Sequence, residues 1–377
     1  TKMDFAKLKE VFLVFAKLGC IAFGGPAAHI AMMEKELIEK RKWITKEHFL
    51  DMVGATNLVP GPNSTQMTMY CGYARAGWLG LFVGGGAFIT PAVIFTLILA
   101  VVYAEFGTVP EIAPFFFGIK PAVMGIILGA CVKLGKKAFK NIQLIVIGVI
   151  VTILSIVGLD EVLLIIGGGF LGMLWFGVIN KNKAASFFAP ALLLIKPTVV
   201  SITSNSIFLA FVKIAMVLFG SGYVLIAYLD AELVEKLGWL TKQQLLDAIA
   251  MGQFTPGPVL TTATFVGHQL GGVRGALWAS LGMFLPSFLL VGLLVKIIPL
   301  LKKSVLLSKF LLSVNACAVG IMIAVTLKLG FDLSNSWQSV LLMVLSIIVA
   351  FKFPKISAFY VVIGGALLGY GLMLLPV

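Results

Sequence analysis

Charged residues are scarce in this chain. They occupy 12% of its 377 positions, whereas 60% are hydrophobic, and a soluble protein of this length could not hide so much apolar surface. The hydrophobic residues gather in long runs, including 79–104, 142–158, 162–179, 279–295 and 337–351. Several runs approach the ~20 residues that a helix needs to cross a bilayer, and the short alternating segments of a membrane β-barrel are missing. The sequence therefore predicts an all-α polytopic integral membrane protein whose surroundings are the lipid bilayer.

Cysteine and histidine are also rare. The four cysteines are isolated in apolar stretches and there are three histidines, without a CxxC pair, an HExxH motif or a GxSxG motif. These absences argue against a disulfide framework, a metal site and an enzyme active site, so we expect no metal, no cofactor and no catalysis. The net charge of +13 comes from basic residues between the apolar runs, which is typical of cytoplasmic loops and not of nucleic-acid binding.

The chain repeats itself. An offset of 196 residues pairs "FAKLGCIAFGG" with "FVKIAMVLFGS" and superposes two Pro-Gly-Pro tripeptides, at 60–62 and 256–258. After one lost residue the match continues at an offset of 195. A match this extended indicates an internal duplication. We divide the chain into a first half at 1–180, a linker at 181–206 and a second half at 207–377.

Lysine placement differs between the halves. The first half is basic at 35–46 and 133–140, and its turns at 105–111 and 160–161 carry acidic residues. In the second half the turns that match the acidic ones carry lysines instead. Because basic loops stay on the cytoplasmic side, this exchange predicts an inverted-topology repeat. An even number of crossings in each half would require the linker to cross as well, although its prolines and lysine make it a poor spanning segment.

Two motifs in each half interrupt helices. Pro-Gly-Pro cannot continue a helix, because proline lacks an N–H group and restricts the residue before it. The segments around Pro60-Gly61-Pro62 and Pro256-Gly257-Pro258 are too polar for a lipid-facing helix, so we expect breaks that protein or a watery cavity shields. "AFGGP" at 22–26 is a second break, matched by "LFGSG" at 218–222, and Pro26 is placed to begin a helix. We predict two homologous halves with broken or re-entrant helices at these motifs.

An anion site is expected where these helices restart. A helix N-terminus presents unpaired N–H groups and about half a positive charge. Asn63, Ser64 and Thr65 add polar side chains in the first half, whereas Val259 and Leu260 make the second-half site less polar. Matching discontinuous helices point to a transporter's binding site, although a tight interfacial turn is the alternative for each motif. The candidate substrate-binding residues are Lys17, Gly24, Gly25, Pro26, Pro60, Gly61, Pro62, Asn63, Ser64, Thr65, Lys213, Gly220, Ser221, Gly222, Pro256, Gly257, Pro258, Thr261 and Thr262.

Some charged residues lie near these breaks. Lys17 and Lys213 are repeat equivalents within apolar runs, where a lysine is costly unless it faces a cavity or a partner. The pair could compensate a bound anion, and snorkelling to the interface is the alternative. Asp51 and Asp247 each precede a Pro-Gly-Pro by nine residues and could carry protons, with capping or salt-bridging as the alternative. Arg75 and Arg274 have no arginine partners in the repeat, and a loop anchor is the better interpretation, with an entrance role for an anion as the alternative.

This set of motifs resembles the CHR family of chromate ion transporters. The segments "AFGGPAAHIAMMEKEL", "LVPGPNSTQ" and "QFTPGP" carry the resemblance, which covers essentially the whole chain, and Ser221 and Gly222 depart from Gly25 and Pro26 of the first half. The resemblance implies a secondary active transporter that exports chromate across the inner (plasma) membrane, driven by the proton motive force or the membrane potential. It implies chromate or a similar oxyanion such as sulfate as the partner. An anion channel is the alternative function, and a homodimer is left open.

Overall fold

The computed structural model describes residues 4–22, 25–57, 59–107, 113–179, 201–219, 222–301, 305–334, 336–353 and 356–373, and within these ranges it is helical and has no strand. The helices are α1 (Phe5–Ile21), α2 (Pro26–Glu34), α3 (Lys46–Thr56), α4 (Asn63–Phe106), α5 (Ala113–Ala138), α6 (Ile142–Val157) and α7 (Glu161–Ile179), then α8 (Ser204–Val217), α9 (Leu225–Leu229), α10 (Lys242–Phe254), α11 (Thr262–Leu301), α12 (Val305–Leu333), α13 (Trp337–Lys352) and α14 (Ala358–Met373).

Short non-α segments occupy matching positions in the two halves. A π-helical turn at Lys35–Lys40 continues α2, and its counterpart at Asp230–Lys236 continues α9. Two 3₁₀ turns, Gly222–Val224 and Val259–Thr261, occur in the second half. Most of the predicted linker, residues 181–200, lies outside the described residues, and so does the proposed extra crossing.

Four of the described helical stretches are long and apolar enough to cross a membrane. They are Asn63–Phe106, Pro114–Ala138, Val259–Val295 and Leu306–Leu333, and five shorter apolar helices accompany them. An apolar helix of about 20 residues or more is long enough to cross the hydrocarbon core of a bilayer. The prediction of an all-α polytopic membrane protein with two homologous halves is confirmed.

The first break in each half is the tip of a helical hairpin. Gly25, with φ of 80°, precedes α2, and Pro26 occupies the first helical position as predicted. Glu10 on α1 pairs with Arg41, which follows the π-helical turn, so the two arms return to one end of the molecule. In the second half the Tyr228 hydroxyl donates to the Val217 carbonyl at 2.6 Å across the equivalent turn.

The Pro-Gly-Pro break is the tip of a second hairpin, formed by α3 and the start of α4. Near the tip the Thr56 hydroxyl donates to the Asn63 side-chain oxygen at 2.8 Å. Farther along, the rings of His48 and Tyr70 lie 6.4 Å apart, so the arms run antiparallel. The chain therefore turns back on itself at the Pro-Gly-Pro tip.

Helix α4 bends back on itself after the re-entrant arm. Gly77 has φ of 67°, and beyond it residues 78–106 form a second arm. The backbones of Gly72 and Gly80 are so close that a Cβ atom on Gly72 would lie 2.1 Å from the Gly80 carbonyl oxygen. Glycine is required here because a side chain would separate the arms. Helix α11 repeats the bend at Gly272, with φ of 60°, so that residues 273–301 form its second arm.

The two halves interlock. Helix α12 of the second half packs against α6 and α7 of the first, and α5 of the first half packs against α13 and α14 of the second. Small residues permit close approach, as where the Thr152 hydroxyl donates to the Gly320 carbonyl at 2.9 Å. Each half therefore lacks a complete core of its own.

Equivalent helices of the two halves run antiparallel. Trp78 contacts Gly292 and Phe82 stacks on Phe288 at 5.7 Å, so residue numbers rise on α4 as they fall on α11. The hairpins of the two halves consequently open toward opposite ends of the bundle. This is the geometry that an inverted repeat requires.

The two ends of the bundle differ in charge. We call one end of the bundle the basic face, because Arg41, Arg75, Lys137 and Lys309 lie near it. The second arm of α4 and helix α12 start at this end, and α5 ends there. The opposite end, the mixed face, has ion pairs that attach α12 to the second-half hairpins. These pairs are Lys328 with Glu235 and Lys242 with Asp332, both at 2.8 Å.

Candidate functional site

The four hairpin tips meet at the centre of the molecule. The Gly61 N–H donates to the Leu218 carbonyl at 2.6 Å, and the Gly257 N–H donates to the Ala22 carbonyl at 2.8 Å. Each Pro-Gly-Pro tip of one half is thus bonded to the end of the first helix in the other half. We call the described residues of this region the four tips: 22, 25–26, 57, 59–63, 218–219, 222–223 and 255–261.

Backbone geometry at the tips explains the glycines. Gly61 has φ of 116° and Gly257 has φ of 86°, conformations that residues with a Cβ atom rarely adopt. A Cβ atom on Gly61 would lie 2.5 Å from Gln66 Nε2 and 2.7 Å from Ser287 Oγ. The break therefore combines a strained backbone with a close approach by polar side chains.

The first-half tip has unsatisfied polar groups. Helix α4 begins after Pro62 without a side-chain cap, so the N–H groups of its first turn have no helical partner. Beside it, the oxygens Thr65 Oγ1, Gln66 Oε1 and Ser287 Oγ are buried and have no hydrogen-bond partner among the described residues. Buried polar groups are normally bonded, so these three oxygens are candidates to bind a ligand or a water molecule.

Neighbouring polar groups hold this tip in place. Gln66 Nε2 donates to the Pro60 carbonyl at 2.6 Å. The Asn63 side-chain amide donates to the Asn57 side-chain oxygen while its own oxygen accepts from Thr56. Asn63 is therefore occupied in joining the two arms of the hairpin, and Ser64 and Thr65 are buried behind it.

The threonine hydroxyls of the second-half tip form hydrogen bonds within their own turn. The Thr261 hydroxyl donates to the Pro258 carbonyl at 3.0 Å, and the Thr262 hydroxyl donates to the Val259 carbonyl at 2.8 Å. The turn Val259–Thr261 also uses the N–H groups that would otherwise open α11. Ala92, not a polar residue, lies against Gly257. The first-half tip is thus the more polar of the two in the structure.

Other predicted residues have mixed placements. Gly24, Gly220 and Ser221 lie outside the described residues. Gly25 and Gly222 lie at the four tips, and a Cβ atom on Gly25 would be 3.5 Å from Tyr223.

The two lysines differ from each other. Lys213 forms an ion pair with Glu232 at 2.5 Å, near Asp160 and Lys236 at the mixed face. Lys17 is exposed and has no ion pair among the described residues. None of the contacts described for either lysine is with a residue of the four tips.

Arg75 anchors the base of the first hairpin. It pairs with Glu10 at 2.7 Å and lies over the ring of Trp43.

The two aspartates also differ. Asp51 on α3 is exposed. Asp247 on α10 is buried, accepts a hydrogen bond from the Tyr103 hydroxyl at 2.7 Å and pairs with Lys120 at 3.1 Å. Tyr103 and Lys120 belong to the first half, so this cluster joins a second-half hairpin to first-half helices.

Sequence reasoning missed four residues of these clusters: Gln66, Tyr103, Lys120 and Ser287. Ser287 follows Pro286, whose first-half counterpart Pro91 is followed by Ala92, and this polar substitution within an apolar run was an available signal. Lys120 lies inside an apolar run too, where a charge suggests a partner.

The fold and the four tips define a class: a polytopic helical membrane protein whose duplicated halves each contribute hairpins to a shared centre, an arrangement typical of transporters built from internal repeats. Comparison with known proteins gives the family. The Chromate transporter family model matches residues 9–173 and 205–370, one repeat in each half, and the chain belongs to this family.

Relatives agree with this assignment. The chain is 30% identical over 362 residues to the probable chromate transport protein of Synechococcus elongatus, covering 92% of this chain and 91% of the relative. It is 30% identical over 370 residues to the chromate transport protein of Cupriavidus metallidurans, covering 96% and 92%. An uncharacterized transporter of Methanocaldococcus jannaschii is 26% identical over 378 residues, covering 96% and 93%. No solved structure matches the chain.

Proposed function

We propose that the chain is a secondary active transporter that exports chromate, a tetrahedral oxyanion, and that the anion binds at the first-half Pro-Gly-Pro tip. Membership of the family and relatives named as chromate transport proteins support the substrate class. The observation that carries the location is the pair of buried, unpaired hydroxyl groups of Thr65 and Ser287 beside an uncapped helix start.

The chemistry of this tip suits an oxyanion. The hydroxyls of Thr65 and Ser287 can donate, and the N–H groups at the start of α4 add donors with a favourable helix dipole. A dianion that leaves water needs several such fixed donors, because an unpaired charge in an apolar interior is very costly. Sulfate has the same tetrahedral shape and charge, so it is the natural competitor for these donors.

The arrangement of the halves supports alternating access. The four tips lie where one half meets the other, and the equivalent helices run antiparallel. In an inverted repeat, a rocking motion of one half against the other would expose the tips first to one face and then to the other. We infer that the repeat is inverted and that the basic face is cytoplasmic.

The membrane potential favours export. Moving a dianion out of a cytoplasm that is negative inside gains about 4.6 kcal/mol per 100 mV, since each elementary charge contributes about 2.3 kcal/mol. This places the protein in an energised membrane, which we infer to be the inner (plasma) membrane. Chromate efflux there would confer resistance.

The test is chromate transport by purified protein in proteoliposomes, with sulfate, molybdate and phosphate as competitors. Ser287→Ala should weaken chromate binding about tenfold, because a hydrogen bond to a charged group is worth about 1.5–3 kcal/mol. Thr262→Val is the matched control, since the Thr262 hydroxyl is occupied within its own turn. Wild-type vesicles that move no chromate would refute the function. Equal affinities in Ser287→Ala and wild type would refute the location only.

A further inference from the structure

One buried ion pair crosses between the halves. Asp247 is 5% exposed and lies on α10, the re-entrant arm that leads to the second-half Pro-Gly-Pro tip. Its carboxylate contacts the Lys120 ammonium on α5 at 3.1 Å and accepts from the Tyr103 hydroxyl on α4 at 2.7 Å. Lys120 also donates to the Gln243 side-chain oxygen at 2.9 Å. The hairpin is thereby fixed to two helices of the other half.

The two partners of Asp247 are not repeated in the other half of the sequence. The repeat places Asn315 opposite Lys120 and Ile298 opposite Tyr103, so neither partner is duplicated. Asp51, the equivalent aspartate, is exposed. A structural role shared by both hairpins would be expected to appear twice. The single occurrence indicates a task that only one hairpin performs.

A buried ion pair is a poor device for stability. The cost of removing two charges from water commonly equals or exceeds their attraction, so apolar residues would serve as well or better. An ionisable side chain buried in a membrane protein is functional by default, and its partner indicates the function. Here the partner is a lysine, whose positive charge favours the ionised aspartate, whereas burial favours the protonated acid, so the two forms compete at this position.

We propose that Asp247 is the proton-binding site that couples proton entry to oxyanion export, with Lys120 and Tyr103 as its positioning residues. One proton adds to the Asp247 carboxylate, the charge of Lys120 is left unpaired, and the attraction that fixes the second-half hairpin is lost. The hairpin is then free to move its tip relative to Ala22. Release of the proton to the cytoplasm restores the pair. This inference rests on the proposed transport function.

The surroundings of Asp247 contain few competitors for this role. The helices and turns packed against α10 carry other titratable groups, none of which forms an ion pair or a hydrogen bond with Asp247 among the described residues. These groups are Tyr70, Cys71, Tyr73, Arg75 and Glu105 on α4, Cys131, Lys133, Lys136 and Lys137 on α5, Asp230, Glu232, Glu235 and Lys236 on the π-helical turn, His268 and Arg274 on α11, and Tyr360 and Tyr370 on α14. Lys120 and Tyr103 are therefore the groups that control its charge.

Asp247→Asn separates coupling from binding. The amide cannot take up a proton, but it keeps the size and most hydrogen bonds of the carboxylate. In proteoliposomes we expect Asp247→Asn to exchange labelled for unlabelled chromate within about twofold of the wild-type rate. We expect net chromate movement driven by a pH gradient, with the membrane potential clamped at zero, to fall at least about tenfold. Asp51→Asn is the comparison at the equivalent position and should respond to the gradient like wild type.

Each outcome decides the matter. Absence of exchange in wild type would refute the transport function itself. If wild type exchanges chromate, a normal response of Asp247→Asn to the pH gradient would refute the coupling role. Loss of exchange in a folded Asp247→Asn protein would refute it as well. Loss of the gradient response in Asp51→Asn alone would move the role to Asp51. If Asp247→Asn does not fold, Asp247→Glu should shift the pH profile of net transport, and an unchanged profile would overturn the proposal.

Discussion

At the scale of single residues, the glycine of each Pro-Gly-Pro has two separate roles. Its positive φ allows the chain to turn, and its N–H group bonds the opposite half, as Gly61 does with Leu218. We expect Gly61→Ala to cost about 1–2 kcal/mol from backbone strain alone and to lower chromate affinity at least about tenfold, because its Cβ atom would displace Gln66 and Ser287. Thermal unfolding in detergent and chromate binding measure the two effects.

Gly54→Ala is the control for this substitution. Gly54 lies in the same hairpin, has no positive φ, and a Cβ atom there would contact nothing within 4 Å. Alanine is also the better helix former, so stability should stay equal or rise slightly. If Gly54→Ala and Gly61→Ala behave alike, the tip is an ordinary turn. The sequence predicted the glycines because Pro-Gly-Pro breaks any helix. It marked Ser287 only as a polar residue in an apolar run and could not predict its place beside Gly61, which depends on the tertiary fold.

At the scale of elements, the breaks were predictable from sequence, but the direction that the chain takes after each break was not. Proline and glycine mark where a helix stops, whereas the direction of the next helix depends on packing such as that of Gly72 on Gly80. The π-helical turns were not predicted either. One of them, Asp230–Lys236, buries the Asp230 carboxyl with both oxygens unpaired among the described residues.

Asp230 gives the π-helical turn a pH dependence. Burial, followed by the nearby Glu235 carboxylate, raises the pKa of Asp230 to about 6. The folded state thus favours the protonated acid, and its stability falls as pH rises from about 4 to about 6. We expect Asp230→Asn to raise stability at pH 7.5 by up to about 3 kcal/mol and to lose this gain below about pH 4. Unfolding midpoints across this pH range provide the measurement.

Glu34→Gln is the matched variant, because Glu34 is the repeat equivalent of Asp230 and forms a half-exposed ion pair with Lys46. A pair of that kind contributes about 0–1 kcal/mol, so little change is expected at any pH. Destabilisation by Asp230→Asn at pH 7.5, or a gain that persists in acid, would contradict the assignment of a strained, buried carboxylate.

At the scale of the whole molecule, the duplication and the exchange of lysines were readable from sequence, since both depend on position along the chain alone. The interlocking of the halves was not readable from sequence, because it depends on the packing of α5 and α12 against helices of the other half. Cys131 contacts Thr326 and Met124 lies near Gly330, so α5 and α12 run antiparallel. The end of α5 near Lys137 and the start of α12 near Lys309 therefore point to the same end of the bundle, although they occupy different positions in the repeat. Asp332 and Glu235 lie at the other end, joined to Lys242 and Lys328.

This arrangement predicts a specific pattern of surface labelling. We expect single cysteines at Lys137 and Ser308 to resist a membrane-impermeant maleimide in intact cells, because positively charged loops stay in the cytoplasm. Cysteines at Glu235 and Ser334, on the mixed face, should react. All four positions are exposed, and Cys20, the one exposed native cysteine among the described residues, is first replaced by serine. In permeabilised cells all four cysteines must react, and this control shows that a missing signal does not come from an unreactive cysteine.

Two outcomes would contradict this arrangement. Because Ser308 and Ser334 lie near opposite ends of α12, labelling of both from outside would place α12 along the membrane surface. Labelling of Lys137 without Ser308 would separate the two ends that the antiparallel packing of α5 and α12 brings together, and the inverted arrangement would fail.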